Sequence, residues 1–578
     1  MDTLTIVKNR LKTLGDVYTR MDETRDFIYW DDTPYELVKP DGKTKLDDAI
    51  SITPNNPKVL AHYIISSLMN GEWQTIVEGK KINRKSRLSH YIESFIDDNL
   101  AQIDELLEKR GETGLFDTQA ARVCIRSWIG ARFVAKVINK LYIPECLPLD
   151  MRWTPFEFGN DGLNWVAAIY FRPKAEIELE YPEDSDGVGV DLSSFKDEDM
   201  VVVDYWASYK NEVWVGGNDL SNPGGKLVRT RENPLGYPPF IITIPPSGFM
   251  LRDKDYLKHE GEDLLFLNKG LFKELARSLS LEATAGYAGI YPSYEYETQN
   301  PDSQAAIPPP KLDATIKVPI GELHKPVPRG NVNQAFQNSR VDIQKMMSEG
   351  GPISPKAYAS PPSAVAISTE SELMAILQSA RKKGLQSFRE GLARMIIDQF
   401  IKLKADVSIG KRGNRNGYSA GKLGNPDEYS ITCQLMTKNK RQEIANLALF
   451  TATAGQLPYS IRLKDILMAD DPEGIEREMD LEMAKRADPA IGLYEMALQY
   501  AREANEIENE VESDALKIQS KMLTQQVVAI NKQRSMPQST EPQEERVAET
   551  EAPKPAKNIL PAILGGGSSE QRQPMEEG

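Results

Sequence analysis

The pattern of apolar and polar residues divides the chain into helical and extended stretches. Apolar residues recur at three- and four-residue steps in residues 62–69, 91–107 and 116–141, which predicts a helical layer from the start of the chain to about Leu141. Short runs rich in Val, Ile, Tyr and Trp, separated by Gly, Asn, Asp and Pro, then predict strands. The predicted strands are residues 152–158, 165–171, 175–181, 200–208, 212–215, 226–230 and 240–244.

Long helical patterns dominate the middle of the chain. Leucines line one face of a helix predicted over residues 257–283, and a Gly- and Pro-rich segment follows as far as Pro328. A second helix is predicted over residues 332–348 and ends at a Gly-Gly-Pro stop. A third is predicted from Thr369, which has capping-box spacing to Glu372, as far as Lys404. Gly384 and Gly391 are its expected bend points.

The remainder of the chain changes from strands to helices and then to a polar tail. Residues 406–436 are predicted to form a hairpin or strand pair, and residues 442–453, 461–468 and 472–485 to form short helices, with helical pattern continuing to about Gln533. The tail from Ser535 is rich in Pro, Glu, Gln, Ser and Gly and is expected to be disordered. Helices and strands in this order predict an α+β fold class.

Charge and composition narrow the function. The 578 residues carry a formal charge of −15, and the tail from Ser535 holds eight acidic and four basic residues, so the acidity is not confined to the tail. A protein that grips DNA usually has a basic surplus, so tight DNA binding is disfavoured while sliding contact is not. No stretch approaches the roughly 18 apolar residues of a membrane helix. We therefore expect a soluble protein without a membrane partner.

The chain lacks the motifs of the common catalytic and metal sites. Its three cysteines have no CxxC spacing and its four histidines are dispersed, so neither a disulfide framework nor a metal site is predicted. The residues around Gly225 and Lys226 depart from the phosphate-loop pattern, and no nucleophile elbow occurs. No catalytic residue and no cofactor is assigned.

Two charged clusters have competing interpretations. Glu260, Glu262 and Asp263 have the chemistry to bind a divalent cation or to act as acid and base, but acidic residues at a helix start are explained more simply by the helix dipole. A basic run over residues 80–87 either touches DNA or capsid, or is a solvated loop, and the solvated loop is favoured.

The order of the elements resembles that of phage portal proteins. Three local strings support the resemblance: residues 261–265, Gly-Glu-Asp-Leu-Leu, with residues 277–280; residues 342–347 before Gly350-Gly351-Pro352 with residues 363–368; and residues 459–462 with residues 471–476. They are similar to that family's first stem helix, second stem helix with tunnel loop, and crown segment. Each string is weakly specific, and their order along the chain carries the resemblance.

The resemblance implies a division of the chain into named parts. These are a wing (1–256, with strands 405–437), stem helix 1 (257–283), a clip (284–328), stem helix 2 (329–348), a tunnel loop (349–367), a long bent wing helix (368–404), a helical crown (438–534) and a disordered tail (535–578). Within these parts, the resemblance places Gly350, Gly351, Pro352, Lys356 and Tyr358 in the tunnel loop at the DNA channel. It places Tyr287, Tyr291, Tyr294 and Tyr296 in the clip, as contacts for terminase or adaptor, and Lys269, Lys273, Arg277 and Lys345 in the stem.

The same resemblance implies a function without catalysis. Portals are dodecameric rings at one capsid vertex, assembled in the host cytoplasm and incorporated in the virion. They conduct double-stranded DNA without sequence-specific binding during packaging and ejection. The expected partners are the large terminase subunit, the major capsid and scaffolding proteins, and later the head-completion adaptor and tail. The alternatives are a non-channel minor capsid or scaffold protein, and a DNA-processing enzyme such as the packaging ATPase or a nuclease.

Overall fold

A computed structural model of the chain describes most of its residues and shows a mixed α+β fold. The described residues are 2–30, 34–39, 41–46, 49–79, 86–138, 141–181, 199–249, 251, 253–290, 294–297, 323–326, 334–349, 364–436, 447–467, 472–506 and 510–535. The chain divides into two compact units, Met1–Ile475 and Glu476–Gly578. The α+β class predicted from the sequence is confirmed.

The helices and strands have the following bounds. The helices are α1 Thr3–Thr13, α2 Gly15–Ile28, α3 Asn56–Met69, α4 Arg87–Lys109, α5 Leu115–Ile125, α6 Lys174–Glu180, α7 Lys269–Ile290, α8 Gln334–Glu349, α9 Ala364–Leu403, α10 Pro472–Ala487, α11 Pro489–Glu506 and α12 Glu510–Ser535. The strands are β1 Glu72–Glu78, β2 Ile129–Ile138, β3 Leu141–Leu149, β4 Phe156–Gly159, β5 Gly162–Pro173, β6 Asp199–Ala207, β7 Lys210–Val215, β8 Lys226–Glu232, β9 Phe240–Thr243, β10 Tyr294–Glu297, β11 Leu323–Pro326, β12 Asp406–Ile409, β13 Asn416–Ser419 and β14 Ser430–Met436.

The first unit is organised around helix α9. Phe388, Leu392, Ile396 and Phe400 recur at four-residue steps and are all fully buried among α4, α5 and the sheet of order β3-β2-β9. The two glycines of α9 are explained by packing, because a Cβ at Gly384 would lie 2.8 Å from Pro245 Cγ and one at Gly391 would lie 3.2 Å from Ile241 Cγ2. The assigned helix continues through both positions. They let the helix approach strand β9 closely.

A second core lies under the five-stranded sheet. Its order is β4-β5-β6-β7-β8, with antiparallel neighbours throughout. Helices α1 and α2 pack on this sheet through apolar residues that include Val7, Val17 and Met21. The residues of β7 alternate between partly buried and buried positions, which is the period-two pattern of a strand.

Strand pairing joins the two ends of the first unit. β14 pairs antiparallel with β1 over its full length, from Glu72 opposite Met436 to Glu78 opposite Ser430. β12 and β13 form a hairpin of their own. The sequence predicted strands over residues 406–436, but not that the last of them pairs with a strand near the start of the chain.

The predicted helical layer to Leu141 is wrong beyond Ile125. Residues 129–138 form β2, whose first seven residues are mostly buried, with Phe133 and Ala135 in the core that α9 occupies, and such a short apolar run does not distinguish a strand from a helix. β1 and β3 were also missed. Pro144 and Pro148 discouraged a strand prediction for β3, but β3 lies at the edge of its sheet, where proline is tolerated.

Three further predictions need correction. Residues 175–181 form helix α6, in keeping with the strong helix formers Lys174, Ala175 and Glu176. The first long helix begins at Lys269 instead of residue 257. The third begins at Ala364, so Thr369 lies inside α9 and does not cap it, and the expected tunnel loop overlaps the start of the helix.

The strands predicted at residues 165–171, 200–208, 212–215, 226–230 and 240–244 are confirmed as β5 to β9. The helix predicted at residues 332–348 is confirmed as α8, with a start two residues later. The basic run at residues 80–85 and the tail after Ser535 lie outside the described residues.

Arg389 of α9 is a charged residue inside the core, and its replacement tests the packing of α9. Its guanidinium carbon lies 4.9 Å from the ring centroids of both Trp73 and Phe116, and Nη2 donates to Asp97 over 2.8 Å. We predict that Arg389→Ala lowers the free energy of unfolding by roughly 3 kcal/mol, because it leaves a cavity between two rings and a carboxylate without its partner. Urea unfolding followed by tryptophan fluorescence measures the change.

The matched control is Arg394→Ala in the same helix, where the arginine is exposed. Its effect should stay within about 0.5 kcal/mol. Equal effects of the two substitutions would show that Arg389 contributes no more than a surface arginine.

Candidate functional site

The candidate site is an excursion of the chain within the first unit, which runs out along α7 and returns along α8. Between the two helices, β10 and β11 pair antiparallel, with Tyr294 opposite Pro326 and Glu297 opposite Leu323. The helices run antiparallel, because Asn268 Nδ2 donates to Met347 O over 3.1 Å while Arg340 Nη1 lies 2.7 Å from Glu282 Oε2. The excursion is therefore a helix, a strand pair and a returning helix.

Helix α7 is held along the body of the first unit. Phe272, Leu275 and Ala276 are buried, and the ring of Phe272 lies 6.1 Å from that of Phe27 in α2. The backbone N–H of Ile52 donates to Ser280 Oγ over 2.8 Å, and a second bond joins residue 50 to Thr284 Oγ1 over 3.0 Å. The position of α7 is set by these contacts.

A tight turn precedes α7 and fixes its direction. Gly261 has a φ of +65°, which favours glycine. A Cβ at this position would lie 2.8 Å from Trp128 Nε1 and 2.9 Å from Ile244 Cγ2, so there is no room for a larger residue. Trp128 Nε1 donates to Glu260 O over 3.0 Å. The Trp128 indole fills the space beside Gly261 and donates a hydrogen bond to the turn.

Arg20 holds the turn from the other side. Its guanidinium donates to the carbonyl oxygens of Lys258, Glu260 and Gly261, the last two at 3.0 and 2.9 Å. Burial lowers the pKa of Arg20, while Glu262 and Asp263 act in the opposite direction. A guanidinium stays charged in such a setting because its ordinary pKa is above 12. Three carbonyls and a carboxylate therefore share one buried positive charge.

The neighbouring acids are structural. Asp263 accepts from Thr24 Oγ1 and from the backbone N–H of Leu265, both over 2.7 Å, and lies 3.6 Å from Lys269 Nζ. Glu262 lies 3.5 Å from Arg20 Nη1 and 2.9 Å from His259 Nδ1. The helix-dipole explanation of this cluster is wrong, since α7 starts only at Lys269. The acids are bound to basic, hydroxyl and amide groups.

Helix α9 and the start of β2 complete the anchorage. Arg381 Nη2 donates to Asp263 O over 2.7 Å, and Ser127 Oγ and Ser247 Oγ both donate to Glu262 O, over 3.0 and 2.6 Å. Burial lowers the pKa of Arg381. We call the set Arg20, Trp128, Gly261, Glu262, Asp263 and Arg381 the anchor cluster.

The structure places the four basic residues predicted for the stem in two settings. Lys269 belongs to the anchorage, with Nζ 3.2 Å from Glu23 and from Thr24 Oγ1. Lys273 is exposed and lies over the Phe27 ring at 5.6 Å, while Arg277 is exposed and 3.9 Å from Glu274. These three follow each other at four-residue steps along one side of α7. Lys345 is exposed on α8.

The predicted clip tyrosines lie around the strand pair. Tyr287 is half exposed near the end of α7, and Tyr294 and Tyr296 belong to β10. Tyr291 lies outside the described residues, as do the tunnel-loop residues Gly350, Gly351, Pro352, Lys356 and Tyr358.

Sequence reasoning missed the anchor cluster apart from the string around Gly261. One signal was available, because Arg20 sits in the apolar stripe that Val17, Met21, Thr24 and Ile28 form on α2. A basic residue in such a stripe requires buried acceptors. Nothing in the sequence shows that those acceptors are the carbonyls of residues 258–261.

A cavity of 1110 Å³ lies between the sheet of β2 and β3 and the sheet of β5 to β8. Its polar residues pair with one another: Arg132 lies 2.8 Å from Glu145 and 2.5 Å from Asp204, and Asn211 bonds both Asp204 and Arg229. Arg132 and Lys136 hold the pKa of Glu145 below its usual range against the effect of burial. The Arg132–Asp204 pair joins the two sheets across the cavity.

Comparisons with known proteins leave the excursion as the main guide to function. No protein-family model matches this sequence, and no curated protein matches it significantly. No helix within the described ranges has the length and apolarity needed to span a bilayer.

Replacement of Gly261 tests whether the anchor cluster sets the position of α7. We predict that Gly261→Ala lowers the free energy of unfolding by roughly 2–4 kcal/mol, because the residue must keep a left-handed conformation and its Cβ would clash with Trp128. Thermal unfolding monitored by circular dichroism measures the loss.

Gly270 supplies the control, since it lies in the first turn of α7, is exposed and has open space around its Cα. Gly270→Ala should be neutral or stabilise by up to about 1 kcal/mol. A Gly261→Ala protein as stable as the Gly270→Ala protein would contradict the role given to the turn.

Proposed function

We propose that the chain is the portal subunit of a tailed double-stranded DNA bacteriophage. In this proposal a ring of copies stands at one capsid vertex, conducts DNA during packaging and ejection, and docks terminase and later the head-completion adaptor and tail. The observation that carries the proposal is the excursion through α7, β10, β11 and α8, whose two ends lie at neighbouring points of the first unit.

The arrangement of the first unit supports the proposal. A stem that projects from a wing needs a body on both sides of it in the sequence, and β14 supplies this by pairing with β1. Helix α9 follows the excursion directly and lies in the core beside strands that precede it, β2 and β9. Residues before and after the excursion therefore build one body.

The anchor cluster supports a mechanical role for α7. A conduit for DNA must keep its walls in place while the DNA moves, so the base of each stem helix has to be rigid. Arg20, Trp128 and Arg381 come from three different elements and all bond the turn of residues 258–263. Interlocked, buried hydrogen bonds of this kind resist local opening.

Exposed apolar residues on the excursion support assembly. Tyr287, Val341 and Met346 are all more than 40% exposed, whereas Phe272, Ile343 and Met347 of the same two helices are buried in the core of the first unit. Exposed apolar groups on a helix pair are typical of surfaces that a partner covers. In a ring, each copy would cover the excursion of the next through a heterologous contact.

The charge of the chain agrees with a conduit. Lys273, Arg277 and Lys345 are exposed basic residues on the two helices, but the whole chain carries −15. A net negative ring repels phosphate and avoids trapping the DNA, while a few basic side chains permit brief contacts. The proposal therefore assigns no sequence-specific DNA binding and no catalytic step.

Electron microscopy of the purified full-length protein tests the proposal directly. We expect closed rings with a central hole wide enough for duplex DNA, formed without nucleotide. Compact particles without a hole would favour the alternative of a minor capsid or scaffold protein. ATP hydrolysis by the pure chain would favour a packaging motor instead.

The tyrosines around the strand pair test the docking part of the proposal. Replacing Tyr287, Tyr291, Tyr294 and Tyr296 together by Ala should leave rings intact but weaken binding of the large terminase subunit roughly tenfold or more, because buried aromatic side chains dominate many interfaces. Surface plasmon resonance on assembled rings measures the change.

The control for this experiment is the pair Tyr63→Ala and Tyr209→Ala, which removes exposed tyrosines far along the chain from the excursion. It should not alter terminase binding. If the fourfold variant binds terminase as the unaltered ring does, the tyrosines do not serve docking. If it forms no rings, they pack between neighbouring copies.

A further inference from the structure

The second compact unit contains a helical hairpin whose inner face is made of small residues. Ala490, Ala497 and Ala504 of α11 are buried at seven-residue steps against α12, and Ser520 Oγ of α12 donates to Ala497 O over 2.7 Å. Along α12, Leu516, Leu523 and Val527 complete the contact as buried or half-buried residues. Small side chains let the two helices approach closely.

The same two helices carry a second apolar face that is exposed. On α11 it consists of Ile491, Tyr494 and Leu498, at helical spacing and 36–52% exposed. On α12 it consists of Ile518 and Met522, which are 60% and 59% exposed. With 3.6 residues per turn, Ile518 and Met522 lie nearly opposite the positions that contact α11. We call these five residues the outer seam.

The outer seam is large for a surface that meets only water. The inner contact combines alanines of α11 with Leu516, Leu523 and Val527 of α12, and the five residues of the outer seam lie outside it. A regular apolar stripe on an exposed helix face is characteristic of a surface that another helix covers.

The distribution of charge along the second unit indicates which surface covers the outer seam. Helix α11 (residues 489–506) holds three acidic side chains and one basic one, whereas residues 515–535 of α12 hold four basic and no acidic ones. Lys517 and Lys521 are exposed beside Ile518 and Met522, and Glu495 is exposed beside Tyr494. Lys517 already pairs with Asp514 one turn earlier in α12, and Glu495 pairs with Lys485 of α10. Each copy therefore carries both an acidic helix, α11, and a basic segment of α12, and these can contact each other between copies.

This asymmetry selects a geometry. A two-fold contact of α12 with α12 would bring Lys517 and Lys521 against their own copies, and like charges across an interface are unfavourable. A contact of α12 with α11 of another copy brings basic residues to an acidic surface. Such a contact is heterologous and can close into a ring.

We propose that the outer seam is an interface between copies of this chain, in which Ile518 and Met522 of one copy pack on Ile491, Tyr494 and Leu498 of the next. The inference rests on the ring proposed above and adds which surface of the second unit links neighbours. It also proposes that Lys517 and Lys521 determine which helix of the neighbouring copy α12 contacts.

Cysteine cross-linking of the full-length protein tests the contact. The native thiols interfere little, because Cys124, Cys146 and Cys433 are buried and burial raises the pKa of Cys433 to about 11. Three variants are compared, Tyr494→Cys, Met522→Cys and the double variant, each treated with a short bis-maleimide and analysed on denaturing gels. Electron microscopy of the same samples records whether rings are present.

The proposed contact predicts a ladder of covalent multimers from the double variant and only monomer from either single variant. Strong dimer formation by Met522→Cys alone would show a two-fold contact and overturn the proposal. Rings that give no ladder would show that another surface joins the copies or that something else covers the seam. Absence of rings in every sample, including the unaltered chain, would count against the proposed function itself.

Charge reversal provides a second readout that does not depend on the cysteines. Lys517→Glu with Lys521→Glu, added to the double-cysteine variant, should reduce the multimer ladder at least fivefold. The matched control, Lys8→Glu with Lys12→Glu in α1, changes two exposed lysines that are also four residues apart, leaves the second unit unaltered and should preserve the ladder. A ladder of unchanged intensity after reversal at residues 517 and 521 would refute the electrostatic part of the inference.

Discussion

The architecture of the first unit depends on how one buried guanidinium is neutralised. Arg20 lies in the apolar stripe of α2, and the carbonyls of residues 258, 260 and 261 supply most of its acceptors. Carbonyls that point at Arg20 are not available for helical hydrogen bonds, which accounts for the late start of α7 at Lys269. Removal of Arg20 would leave buried carbonyls without a donor, and removal of those carbonyls would leave a buried charge without acceptors. The turn and α2 therefore depend on each other.

The sequence predicted elements where local pattern and final environment agree. The strands β5 to β9 are rich in β-branched and aromatic residues, and α9 has an apolar stripe long enough to be recognised without knowledge of its neighbours. β2 was mistaken for a helix because its first seven residues form a short, mostly buried run, and such a run has no distinctive period. β1 needs a partner from the other end of the unit, which a local window does not contain.

The residues of the candidate site also separate into those that the sequence predicted and those that it did not. Lys273, Arg277 and Lys345 were predicted on the correct helices, because helical spacing is visible in the sequence. The role of Lys269 was not, because its partners Glu23 and Thr24 lie on α2. The close approach of Trp128 to Gly261 also exists only after distant segments have packed together. The same is true of the hydrogen bonds that Trp128 and Arg381 donate to the turn.

The pairing of β1 with β14 also constrains the order in which the protein takes shape during synthesis. The two strands meet across a sequence separation of 352 residues, seen at Ser430 and Glu78. A ribosome therefore completes β1 long before it makes β14, and α7, the strand pair and α8 emerge in the interval. Until Met436 has been made, β1 offers an open edge to other chains. Completion of this unit's fold thus depends on the last third of translation.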